Sequence, residues 1–124
     1  LGMQLLFELS EESKGIKGMN FLKGKIKKIE TKKILPHIGW KKMNYKKNTI
    51  YNYNLKPDEK FYFLHSYMLA NPSPYTKAEV SYSGQKIPAI INFRNITGVQ
   101  FHPERSGKQG LKFLSDFYRL NDSI

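Results

Sequence analysis

The sequence of 124 residues contains no cysteine, which excludes disulfide bonds, thiolate metal ligands and a sulfur nucleophile from these residues. Its three histidines are scattered, so we expect no zinc site. The candidate serine nucleophiles also lack the Gly-x-Ser-x-Gly turn that would expose a hydroxyl; they are Ser66, Ser81, Ser83 and Ser106. The sequence therefore carries no recognisable nucleophile of its own.

Long apolar segments are missing as well. No run approaches the roughly 20 apolar residues of a membrane-spanning helix. The N-terminus lacks the basic, apolar and small-residue pattern of a secretory signal. We therefore expect a soluble, cytoplasmic protein, and its 40% of hydrophobic residues suffice for the modest core of one domain.

Acidic residues are scarce, and the formal net charge is +11. Such a charge is typical of proteins that bind nucleic acids. However, lysines outnumber arginines eighteen to three, although arginine is the better bidentate ligand for phosphates and bases. Between Lys23 and Ile29 the lysines alternate with other residues as on an exposed strand. These features argue against nucleic-acid binding, and a basic binding module stays only as an alternative.

The most informative stretch is Gly98–Gly107, with the sequence GVQFHPERSG. It places His102 and Glu104 two residues apart at the end of an apolar run, and residues so spaced on an extended chain share a face. The histidine can then take a proton from a nucleophile while the carboxylate orients its ring and favours the charged form. An ordinary surface turn is the alternative on spacing alone.

Hydrophobic spacing predicts the elements around this pair. Apolar residues at positions 1, 5, 6 and 9 fit one face of an N-terminal helix, and residues 44–54 read as a loop or irregular strand. The predicted strands are 61–65, 78–82, 87–93 and 96–101, with a Ser83-Gly84 turn. A closing amphipathic helix follows Gly107 and runs to about residue 120, and its apolar face is expected to comprise Leu111, Phe113, Leu114, Phe117 and Tyr118.

The segment PHIGW at residues 36–40 holds the only tryptophan. Its proline and glycine predict a turn that presents the ring of Trp40. An exposed tryptophan anchors interfaces, whereas a core tryptophan in a buried turn is the alternative. The polar residues His65, Ser66 and Tyr67 lie at the end of the predicted strand 61–65, where they either bind a ligand or form local hydrogen bonds.

Four stretches follow one another as in the class I (triad) glutamine amidotransferases. They are LGMQ at 1–4, PHIGW at 36–40, HSY at 65–67, and GVQFHPE at 98–104 followed by Ser106-Gly107. The chain resembles this family from residue 1 to about 117, above all the glutaminase subunits of imidazole glycerol phosphate synthases.

The resemblance implies an α/β domain of flavodoxin-like type. In the family the nucleophilic cysteine immediately precedes the residue that matches Leu1. Residues 1–124 are therefore expected to be a partial amidotransferase domain that lacks its N-terminal part. Alone, this polypeptide is expected to fold poorly and to be inactive as a glutaminase.

The resemblance also implies site residues, with no metal and no organic cofactor. His102 would act as the base, Glu104 would orient it, and the N–H of Leu1 would stabilise the oxyanion. The residues that would bind L-glutamine are Gln4, His65, Ser66 and Tyr67. Those that would contact the cyclase subunit, which receives the ammonia in histidine biosynthesis, are Pro36, His37, Gly39, Trp40 and Arg105.

Two departures from the family keep alternatives open. Lys41 stands where the family usually has asparagine, and Arg105 replaces a common lysine. They are weak hints of a paralogous glutaminase that supplies ammonia to a sugar amidotransferase in surface-polysaccharide synthesis. A non-catalytic remnant that acts as an interaction module is the second alternative.

Overall fold

A computed structural model describes residues 3, 7–10, 22–29, 35–46, 55–70 and 74–122. Within them the chain forms nine strands, a 3₁₀ turn and one α-helix. The strands are β1 (Phe7–Ser10), β2 (Leu22–Lys28), β3 (His37–Lys42), β4 (Asn44–Tyr45), β5 (Lys60–His65), β6 (Tyr67–Leu69), β7 (Thr76–Tyr82), β8 (Gln85–Phe93) and β9 (Ile96–Val99). The 3₁₀ turn Pro103–Arg105 and the helix α1 (Gly107–Asp122) follow.

The strands pair in three sheets, with the orders β1-β2-β6, β3-β5 and β4-β7-β8-β9. The pairing of β1 with β2 is parallel, and the other pairings of the described strands are antiparallel. The predicted strands 61–65 and 78–82 are confirmed as parts of β5 and β7. The predicted closing helix is confirmed as α1.

The two hairpins of the four-stranded sheet form where the sequence predicts them. Ser83 and Gly84 join β7 to β8 with positive φ angles of 52° and 76°, the backbone that tight hairpin turns require. Arg94, with a φ of 56°, occupies the turn between β8 and β9. These turns place β9 beside β8 and so fix where the segment that carries His102 begins.

An aromatic cluster connects the sheets to α1. The ring of Phe101 lies 4.7 Å from that of Phe61 on β5 and 5.3 Å from that of Phe113 on α1. All three side chains are buried, as are Val80 and Ile87 nearby. Burying a phenylalanine stabilises the fold by about 1.5–3 kcal/mol. Phe101 therefore anchors the chain one residue before His102.

Three sequence expectations need correction. Phe7–Ser10 is a strand rather than part of a helix, and its apolar-polar alternation fits a strand that pairs with β2. Trp40 lies on a strand instead of a turn, because β3 pairs with β5 along its whole length. Leu111 is 66% exposed, although it was expected on the apolar face of α1.

Two further expectations fall partly outside the described residues. The segment 44–54 begins as β4, paired with β7, and residues 47–54 are not described. Of the segment expected to form an N-terminal helix, the structure describes only residue 3 and strand β1. In the part of the chain that the structure describes, no helix is long and apolar enough to cross a membrane.

Candidate active site

Main-chain hydrogen bonds deliver His102 to β5. After β9 ends, the N–H of Gln100 donates to Ala89 on β8 (2.8 Å), and the N–H of His102 then donates to the carbonyl of Tyr62 on β5 (2.9 Å). The chain thus passes from one sheet to the next over two residues. Pro103, which has no N–H, begins the 3₁₀ turn at the point where strand pairing stops.

His102 and Glu104 are in contact. The Nδ1 atom of His102 lies 2.8 Å from Oε1 of Glu104, so the sequence prediction that the two side chains meet is correct. The route differs from the prediction, because a 3₁₀ turn rather than an extended strand brings them together. A ring held by the carboxylate through Nδ1 directs Nε2 toward a proton donor or acceptor.

The charge of Glu104 suits an orienting role. Desolvation acts to raise the pKa of Glu104, but hydrogen bonds from its own backbone N–H and from His102, with the charges of His102 and Arg105, lower the pKa overall. Glu104 is therefore ionised at neutral pH, and its carboxylate favours the protonated ring that forms when a histidine acts as a base.

Ser106 fixes the turn that carries His102, a role that the sequence did not reveal. Its hydroxyl donates to the carbonyl of His102 (2.7 Å) and accepts from the N–H of Tyr62 on β5 (2.9 Å). The residue has no exposed surface. In the sequence, a serine directly before a helix predicts only the start of that helix. The hydrogen bonds of Ser106 to His102 and Tyr62 depend on the folded chain and cannot be read from this local pattern.

The same turn packs closely on α1. The N–H of Gly110 donates to the carbonyl of Ser106 (3.2 Å). A Cβ atom at position 110 would collide with the carbonyl of Pro103 and lie 2.8 Å from the Cβ of Ser106. Only glycine fits at this position, and the first turns of α1 therefore hold the His102 turn in place.

Trp40 is connected to His102 through the ring of Tyr62. It is 47% exposed, and its ring meets that of Tyr62 at 5.8 Å, edge to face. Tyr62 in turn lies 6.5 Å from the ring of His102. The exposure excludes a core role for Trp40. Tyr62, which no sequence motif indicated, contacts both the Trp40 ring and the His102 ring.

The other expected interface residues differ in their exposure. Arg105 is exposed, and Pro36 and Gly39 are partly exposed. His37 is fully buried, and its ring stacks on those of Phe63 and Tyr82. Its side chain therefore lies beneath the surface, which corrects the expectation that it contacts a partner.

The expected glutamine-binding residues form a fixed bend between β5 and β6. Nδ1 of His65 lies 3.0 Å from the carbonyl of Tyr67, and the carbonyl of Ser66 accepts from the N–H of Ile29 (3.0 Å). His65 is buried, whereas Ser66 and Tyr67 are partly exposed. Leu1 and Gln4, the other expected site residues, lie outside the described residues.

Two buried histidines predict a loss of stability in acid. Burial is the main cause that lowers the pKa of His37 and that of His65 from 6.5 to about 4, although the hydrogen bond to the Tyr67 carbonyl acts to raise the pKa of His65. Between these pH values the unfolded chain binds more protons, so stability falls as the pH falls, by at most about 1.4 kcal/mol per pH unit for each histidine. Urea unfolding of the full-length protein from pH 7 to 4.5 measures this slope. His37→Phe should reduce it, and an unchanged slope would contradict the assignment.

Comparison with known proteins identifies a family and several relatives of this chain. The glutamine amidotransferase class-I family model matches residues 1–120. The chain is 42% identical over 120 residues to the imidazole glycerol phosphate synthase subunit HisH of Methanocaldococcus jannaschii, covering 97% of this chain and 61% of that protein. It is 45% identical over 121 residues to the HisH subunit of Pyrococcus furiosus, with 97% and 62% covered.

A bacterial relative gives the same picture. The HisH subunit of Lactococcus lactis is 40% identical over 117 residues, which are 94% of this chain and 58% of the relative. The chain thus spans about three fifths of the length of these relatives. The family match confirms the predicted α/β fold class and the resemblance to HisH. This chain belongs to the class I glutamine amidotransferase family.

Proposed function

We propose that the intact protein hydrolyses L-glutamine to glutamate and ammonia, and that the ammonia passes to the cyclase subunit of imidazole glycerol phosphate synthase in histidine biosynthesis. The observation that carries this proposal is the 2.8 Å contact between His102 and Glu104 in a chain whose relatives are HisH subunits. The expected assembly is a cytoplasmic heterodimer of glutaminase and cyclase.

The reaction needs a thiol from outside these 124 residues, which contain no cysteine. The thiolate attacks the amide carbon of glutamine, and His102 takes the thiol proton and returns it to the leaving ammonia. Water then attacks the thioester with His102 as the base, the carbon–sulfur bond breaks, and the thiol regains its proton as glutamate leaves. Glu104 holds the His102 ring throughout.

The remaining roles complete this site. The N–H of Leu1 stabilises the oxyanion of each tetrahedral intermediate, while Gln4 and the bend His65-Ser66-Tyr67 bind the substrate. Without the thiol, residues 1–124 have no nucleophile and are inactive as a glutaminase. No step calls for a metal, and the described residues contain no group of three or more metal-binding side chains.

A glutaminase assay with the candidate partners tests this proposal. The full-length protein is incubated with glutamine alone, with the cyclase subunit, and with the synthase of the sugar amidotransferase pathway. We expect glutamate release to rise with the cyclase and its substrate. Absence of glutaminase activity with every partner would reject the proposal that the protein is an enzyme and would favour a non-catalytic interaction module.

Trp40 is the proposed anchor of the partner interface. Replacing Trp40 with alanine should weaken partner binding by about 2 kcal/mol, or roughly thirtyfold in Kd, because exposed tryptophans often dominate interface energies. Trp40→Phe should lose less, and Lys86→Ala on the β7–β8 hairpin should change little. Titration calorimetry with the partner measures all three. Equal affinities of Trp40→Ala and the unsubstituted protein would remove Trp40 from the interface.

A paralogous glutaminase for surface-polysaccharide synthesis remains the second candidate. Lys41 and Arg105, the two departures from the family, are both exposed, and Lys41 directly follows Trp40. A changed charge beside the proposed anchor alters which partner surface fits. Copurification and activation by the polysaccharide synthase rather than by the cyclase would favour this candidate.

A further inference from the structure

We propose that His37 is a positioning residue that acts through His65 to fix the bend where glutamine binds. Its Nδ1–H donates to Nε2 of His65, which forces the Nδ1–H of His65 toward the carbonyl of Tyr67. The inference rests on the proposed function for the identity of the ligand. It assigns a role to a buried histidine that the proposed catalytic steps do not use.

The two rings meet across paired strands. His37 on β3 and His65 on β5 are direct register partners, and Nδ1 of His37 lies 3.1 Å from Nε2 of His65. The other ring nitrogen of His65 lies 3.0 Å from the carbonyl of Tyr67. A continuous path of two hydrogen bonds thus connects β3 to the bend.

The donor and the acceptor of each bond can be assigned from the carbonyl of Tyr67, which ends the path. A carbonyl only accepts, so Nδ1 of His65 must carry a hydrogen atom. In a neutral ring the Nε2 atom of His65 is then an acceptor, and the hydrogen in the contact must come from Nδ1 of His37. Both histidines are consequently Nδ1–H tautomers, and each bond depends on the one before it.

The surroundings keep the pair neutral and His37 in place. The ring of His37 stacks on Tyr82 at 4.3 Å and on Phe63 at 5.7 Å, and no part of it is exposed. Burial lowers the pKa of each histidine to about 4. Nε2 of His37 is buried and finds no hydrogen-bond partner among the described residues, as expected for a ring that uses only its Nδ1–H.

Loss of the first bond should loosen the second. Without a donor at position 37, His65 can adopt the Nε2–H tautomer, which places a nitrogen lone pair against the carbonyl of Tyr67. That pair repels, and the carbonyl must turn away. Ser66 and Tyr67 would then lose the backbone arrangement that receives the substrate, while His102 on the neighbouring turn would be unaffected.

Two variants of the full-length protein separate the hydrogen bond from the packing. His37→Asn places an amide N–H near the position of Nδ1, whereas His37→Phe fills the aromatic stack but has no donor. We expect His37→Phe to raise the KM for glutamine about tenfold, as the loss of one buried hydrogen bond implies, with kcat changed less. His37→Asn should restore most of the affinity.

Nitrogen-15 NMR of the histidine rings gives a readout that does not depend on activity. We expect both rings to show the Nδ1–H tautomer and to remain neutral from pH 7 to 5.5, and His65 to lose that tautomer in His37→Phe. Nε2–H on His37, or an unchanged His65 tautomer in the variant, would overturn the proposal. An inactive parent protein with the expected tautomers would reject the proposed function instead.

Discussion

In the proposed glutaminase reaction, replacing His102 with glutamine is expected to lower kcat of the full-length protein by about 10³-fold or more. In the proposed mechanism the ring transfers a proton in both halves of the reaction, and loss of a general acid–base typically costs about 10²–10⁴-fold for a single step. Glutamine retains a polar side chain of similar length but has no group that exchanges a proton near neutral pH. Steady-state release of glutamate and ammonia measures the effect.

The fold should survive this substitution. The His102 side chain is 35% exposed, and the bonds that hold its turn come from the main chain and from Ser106. Thermal unfolding of the variant should therefore match that of the unsubstituted protein within a few degrees, and substrate binding should persist. A variant that kept more than a tenth of the original kcat would exclude His102 as the base.

Replacing Gly110 with alanine should destabilise the protein by about 3 kcal/mol, at the upper end of the usual cost of an overpacked site. Helix propensity alone predicts the opposite sign, because alanine stabilises a helix interior by roughly 1 kcal/mol relative to glycine. The collision of a Cβ with the Pro103 carbonyl decides the result, since a backbone atom cannot turn aside as a side chain does. Chemical unfolding measures the change.

Gly84→Ala is the control for this prediction. Gly84 lies in the β7–β8 turn with a positive φ of 76°, and the space around a new Cβ is open. Its substitution should therefore cost only the backbone strain of about 1–2 kcal/mol. Activity should fall further in Gly110→Ala, because the displaced turn carries His102. A stabilised Gly110→Ala protein would mean that α1 does not lock this turn.

The parts of the site that were predictable depend on neighbours in sequence. His102 and Glu104 are two residues apart, so any compact turn leaves them close enough to meet. The hairpin around Ser83 and Gly84 was readable because strand alternation and turn residues are local signals. The roles of Leu1 and Gln4 came from family resemblance alone and stay predictions.

The remaining features depend on contacts between distant residues. Ser106 bonds to Tyr62, 44 positions away, and His37 meets His65 across 28 positions. Strand pairing of β3 with β5 sets both the burial of His37 and the exposure of Trp40. A local pattern such as Pro-x-x-Gly predicts a turn there, but the long antiparallel ladder outweighs it.

Trapping the covalent intermediate tests the central claim most directly. The protein as its source cell makes it is mixed with glutamine, quenched during turnover and analysed by mass spectrometry of its peptides. We predict a γ-glutamyl thioester on a cysteine outside the 124 residues, together with loss of turnover after alkylation of that thiol. Glutamine hydrolysis that continues with every cysteine alkylated, or an acyl group on a serine of this chain, would contradict it.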